Sequence, residues 1–105
     1  MRLSKKEVIA LNEAFRSCLS GITFILYLFG SRVDDKKKGG DIDLLCVVEP
    51  GHKQEVVNLK SKIRSEVFKR IPEQKIDITV ATPEECRENE FLLSVESDRI
   101  ELLRG

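Results

Sequence analysis

The chain has no tryptophan and only one each of tyrosine, histidine and methionine. A single histidine, His52 in the Glu49-Pro-Gly-His52 turn, cannot build a convincing Ser/His/Asp or Cys/His set, which argues against imidazole-driven nucleophilic chemistry. Cysteine is equally sparse. Cys18, Cys46 and Cys86 are odd in number and lack CxxC-type spacing, so neither a disulfide framework nor a structural zinc site is expected. Cys46 falls in an apolar strand and Cys18 on the apolar side of a helix, where each reads as a small buried hydrophobe. Neither sign of charge is in excess: 18 Lys and Arg balance 18 Asp and Glu. No whole-molecule field then recruits nucleic acid or a membrane, and neither is an expected partner. The longest apolar run, Ile22 to Phe29, is far below the roughly 20 residues that span a bilayer. No signal-peptide pattern opens the chain, and a cytoplasmic location is expected.

What is present is a globular composition, 41% hydrophobic and 34% charged. The 105 residues are expected to form a single domain over 1–105, with a modest core and little room to enclose a second substrate. Ser4 and Glu7 have the spacing of a capping box, and Val8, Leu11, Phe15 and Cys18 recur at helical intervals, predicting a helix over about 5 to 19. Ile22 to Phe29 is a β-branched and aromatic run, apolar on both faces, which predicts an interior strand. A polar loop over 30 to 40, with a helical turn after Ser31, leads to a second strand from Asp41 to Val48.

Val56, Leu59, Ile63 and Val67 mark one stripe of a long helix from about Lys53 to Ile71, closed by Pro72. Its other face carries Lys60, Arg64 and Glu66, read as solvated charges. Lys75 to Val80 alternates as a third strand, and Thr82-Pro-Glu-Glu85 opens a short helix that runs on to about Glu96. Ile100 to Leu103 is a short edge strand through which a second copy of the chain could pair. The fold class expected is α/β (α+β), a small mixed sheet with helices packed against it.

Against this background the stretch from Leu28 to Val48 stands out. Carboxylates at i and i+2 of a strand leave the same face about 6.6 Å apart, so Asp41 and Asp43 can converge on one cation. Asp77 interrupts an otherwise apolar strand and would join them if that strand lies alongside. Gly30 permits close backbone approach to phosphate, Ser31 offers a hydroxyl and an N–H, and Arg32 a fork of donors. Magnesium takes oxygen ligands and completes its shell with waters and phosphates, so this set suits a nucleoside triphosphate with one or two ions.

Gly30-Ser31, nine intervening residues, Asp41-Ile-Asp43 and a later Asp77 together resemble the nucleotidyltransferase superfamily that includes DNA polymerase beta. Leu28-Phe-Gly-Ser-Arg32 and Gly40-Asp-Ile-Asp-Leu-Leu45 are most similar to its minimal nucleotidyltransferases (MNT), over nearly the whole chain. The resemblance implies that Asp41, Asp43 and Asp77 hold two Mg2+ ions and that Asp77 activates an acceptor hydroxyl. It also implies that Gly30 and Ser31 contact ATP or another triphosphate, to which the Arg32 donors are expected to add. It further implies a helical HEPN-type partner, modified with AMP on a hydroxyl, in a toxin–antitoxin pair. One departure is the acidic Val33-Asp34-Asp35 that follows Arg32. Two alternatives stay open: a weakly active or inactive module that neutralises its partner by occlusion, and nucleotidyl transfer to a small molecule.

Overall fold

The computed structural model describes residues 3–30 and 41–105. Ser31, Arg32, the Val33-Asp34-Asp35 insertion and Lys36 to Lys38, with the helical turn expected after Ser31, lie outside the described residues.

The first helix, α1 (Lys5–Cys18), starts at a complete capping box. The Ser4 hydroxyl accepts from the Glu7 N–H, and the Glu7 carboxylate accepts from the Ser4 N–H. Gly21, at φ 85°, turns the chain into β1 (Phe24–Phe29). That strand begins two residues later than the apolar run does. Next come β2 (Ile42–Val48), a single 3-10 turn at Pro50–His52, α2 (Lys53–Asn58), α3 (Lys60–Phe68) and β3 (Ile76–Ala81). The chain closes with α4 (Pro83–Glu88), α5 (Glu90–Ser94) and β4 (Ile100–Arg104). Among the described residues no helix is long and apolar enough to cross a membrane.

The four strands form one mixed sheet in the order β3-β2-β1-β4. β1 is interior, antiparallel to both β2 and β4, whereas β2 and β3 run parallel, joined by the α2–α3 crossover. Alternation divides the sheet cleanly. Leu26 and Leu28 of β1, Ile42, Leu44 and Cys46 of β2, and Ile76, Ile78 and Val80 of β3 pack against α1, α2 and α3 through Leu11, Phe15, Val56, Ile63 and Val67. The opposite face carries a smaller cluster of Phe29, Leu45, Ala81 and Leu92, the last from α5. Asp43 and Asp77 belong to this second, thinly covered face.

Two expected helices are each divided. The stripe of Val56, Ile63 and Val67 is buried as anticipated, but the helix over 53–71 is broken at Leu59, whose N–H turns to the Val56 and Val57 carbonyls. The tail helix to Glu96 is interrupted at Asn89, whose extended backbone and side chain cap the next helix by accepting from the Leu92 N–H. The box at Thr82 is complete, and its Glu85 also accepts from Lys53 Nζ at 2.7 Å, tying α4 to the start of α2. Cys46 is fully buried, and burial pushes its thiol up to about 12, which makes it a packing group.

Phe15 is fully buried with its ring centroid 6.1 Å from that of Phe24. Phe15→Ala should lower unfolding stability by about 3–5 kcal/mol in urea titrations. Leu93→Ala, at an exposed position on α5, should stay within about 0.5 kcal/mol.

Candidate active site

The second sheet face opens into a cleft of about 600 Å³. It is lined by Gly30 at the end of β1, Asp43 on β2, Asp77 and Thr79 on β3, Lys60 and Arg64 from α3, and Phe91 from α5. Sheet topology creates this convergence. Because β1 is antiparallel to β2 and β2 parallel to β3, the end of β1 adjoins the beginning of β2, which in turn adjoins the beginning of β3. Phe29 faces Asp43 in one register and Asp43 faces Asp77 in the next.

Gly30 sits at φ 78°, a left-handed conformation that strains any side chain. Space adds to this, since a Cβ built there would push the Asp43 carboxylate aside. The glycine therefore does more than leave room for a ligand: it lets the Asp43 side chain lie against the backbone at the end of β1.

Of the expected carboxylates, Asp43 and Asp77 share the cleft, and Asp41 is not among its lining groups. Asp41 reaches the pair through Lys75, whose Nζ lies 3.5 Å from Asp41 Oδ2 and 4.0 Å from Asp77 Oδ2. All three groups of that contact are substantially exposed, so it contributes little to stability and opens easily. Burial pushes the Asp43 carboxyl above its ordinary range, and the charges of Asp77 and then Asp41 push it further against the opposing Lys75 ammonium. Among the described residues no three His, Cys, Asp or Glu side chains form a ready-made metal cage.

The donor set nevertheless suits a hard cation. Asp43 and Asp77 supply carboxylate oxygens at an electrostatically frustrated point, and a divalent ion would relieve their repulsion while retaining waters and substrate phosphates as further ligands. Ser31 and Arg32, the other expected phosphate contacts, lie outside the described residues.

A family model described as a nucleotidyltransferase domain matches residues 10–102. The chain belongs to this nucleotidyltransferase domain family. A solved structure from Sulfolobus solfataricus, described as a candidate nucleotidyltransferase, aligns with a TM-score of 0.53 at 19% identity. The alignment covers 99% of this chain and 92% of that one, and at this identity the likeness speaks for the fold. No curated protein matches the chain at a significant level. The α/β architecture expected from the sequence is thus the fold observed for this nucleotidyltransferase.

Several cleft residues escaped sequence reasoning. Lys60 and Arg64 were expected to be solvated, yet both line the cleft, and Arg64 Nε donates to the Ile76 carbonyl at 2.9 Å. Their i, i+4 spacing put them on one helix face, but nothing local said that this face reaches around the sheet edge. Phe91 meets Phe29 edge-on, with centroids 5.9 Å apart, and keeps an exposed flank toward the cleft.

Gly30→Ala should destabilise the fold by more than Gly21→Ala. Both carry the left-handed backbone cost of about 1–2 kcal/mol, but at Gly21 the added Cβ meets open space. Thermal melts of the two variants will read the difference as crowding of Asp43. In metal-free buffer, folded Asp43 holds its proton more tightly than the unfolded chain does, so stability contributed by its neutral form is lost as pH rises through the raised value. Asp43→Asn should accordingly melt higher than wild type near pH 7, with the gap closing as pH falls through the raised value toward 3.8, the ordinary carboxyl value, and gone below it.

Proposed function

We propose that this nucleotidyltransferase moves a nucleoside monophosphate, AMP from ATP, onto a hydroxyl of a protein partner. The observation that carries this reading is the juxtaposition of Asp43 and Asp77 across parallel strands, beside a glycine where an added Cβ would displace the Asp43 carboxylate. The acceptor oxygen attacks the α-phosphorus and forms a new P–O bond. The bond from that phosphorus to the bridging oxygen breaks, and pyrophosphate leaves with the electron pair. Asp77, at the accessible end of the pair, takes the hydroxyl proton.

Asp41, Asp43 and Asp77 are the side chains that would hold Mg2+, which when bound neutralises triphosphate charge and favours departure of pyrophosphate. Gly30, with Ser31 and Arg32, would take the triphosphate. The likeness of Leu28 to Arg32 and Gly40 to Leu45 to minimal nucleotidyltransferases supports a helical HEPN-type partner, with this chain as the antitoxin of the pair.

A second reading is favoured by the exposed Phe91 and Leu93 on α5, beside the cleft: the chain docks on a helical partner and silences it by occlusion. With labelled ATP, magnesium and a co-encoded helical protein, wild type should label the partner. Asp43→Asn and Asp77→Asn should each reduce the rate by at least about 10²-fold. Equal labelling by the variants would refute catalysis by these groups. Neutralisation that survives replacement of all three aspartates would instead establish occlusion.

A further inference from the structure

The cleft has two poles. Crossing the sheet from β1 to its open edge, one meets Gly30, then Asp43, then Asp77, and beyond β3 the cations Lys60 and Arg64. If the triphosphate lies at the Gly30 end, the acceptor approaches from the far side of Asp77, where the two cations stand. Lys60 and Arg64 lie one helical turn apart, and among the described residues neither has a carboxylate partner. Arg64 spends one N–H on the Ile76 carbonyl, which anchors its guanidinium at the start of β3 and leaves its other donors available to a ligand in the cleft it lines. Unpaired cations facing a carboxylate pair across a cleft call for a ligand that brings negative charge to their side alone.

The open edge of β3 says what kind of ligand this is. The Ile42 N–H bonds to the Lys75 carbonyl, so in this parallel ladder the odd-numbered residues of β3 bond inward and Ile76, Ile78 and Val80 turn their backbone groups outward. Arg64 takes the Ile76 carbonyl, and Ile78 lines the cleft. Past the Ile76 carbonyl, which Arg64 occupies, the outward groups of Ile78 and Val80 remain for an extended polypeptide to use as an added strand. A nucleic-acid strand would bring a row of phosphates past Asp43 and Asp77 with two cations to meet them.

We propose that the acceptor is a polypeptide segment bearing a carboxylate close to its reacting hydroxyl, with Lys60 and Arg64 holding the carboxylate while the segment lies along the outer edge of β3. This rests on the reading above that the acceptor is a protein hydroxyl, and it adds the chemistry by which that hydroxyl is selected.

The test uses short fluorescein-labelled peptides with a central tyrosine flanked by glutamates or by lysines, and a single-stranded oligonucleotide of similar length. Fluorescence polarisation with the intact protein should show the glutamate peptide binding at least about tenfold tighter than the lysine peptide. Lys60→Glu should abolish that preference and improve binding of the lysine peptide, an outcome that misfolding cannot produce. Arg64→Lys, which keeps the charge and loses the fork, should weaken the glutamate peptide by less than Arg64→Met does.

Indifference to peptide charge, or tighter binding of the oligonucleotide through Lys60 and Arg64, would overturn the proposal. So would loss of a fluorescent ATP analogue in Lys60→Glu, because the pair would then belong to the triphosphate. Transfer is scored separately from binding. Charge-dependent binding without any transfer refutes the enzymatic reading and leaves the peptide site standing, whereas transfer without charge dependence refutes the peptide site alone.

Discussion

Two carboxylates held in register on neighbouring strands set the terms for the rest of this structure. Asp43 and Asp77 face the same side of a parallel pair, and among the described residues no buried cation offsets their repulsion, since Lys75 touches Asp77 only at an exposed position. An arrangement that opposes folding persists because the other side of the same strands is sealed. Ile42, Leu44, Ile76 and Ile78 alternate with the acidic residues and bury almost completely against three helices. Strain concentrated at one cleft and offset by a well-packed core is how folds commonly accommodate chemistry.

Much of this was legible in the sequence because it is local. Both capping boxes, the positions of the strands within a residue or two, and the inward and outward sides of β3 follow from periodicity and turn chemistry. The breaks at Leu59 and Asn89 were harder for different reasons. No glycine or proline marks Leu59, and its apolar side chain continues the stripe that suggested one helix. Asn89 did carry a signal, an N-cap residue three positions before Leu92, but it sits within a run of helix-favouring glutamates.

The candidate site was legible in composition and less so in geometry. That Asp43, Asp77 and Gly30 would meet follows from β2 pairing antiparallel with β1 and parallel with β3, which alternation can suggest and only tertiary structure can fix. Lys60 and Arg64 show the limit: a helix seen in isolation has a polar face, and which part of it overlooks a sheet edge depends on where the crossover sets it down. The outward turn of Asp41 toward Lys75 is likewise a matter of side-chain neighbours with no counterpart in spacing.

The strict division of the sheet into a helix-covered side and a cleft side has a consequence for how such chains can vary. One residue gained or lost within β2 or β3 would rotate every later side chain by half a turn, driving an aspartate inward and a leucine or isoleucine out. Length polymorphism in homologous proteins should thus be confined to connections between elements, or enter the strands two residues at a time.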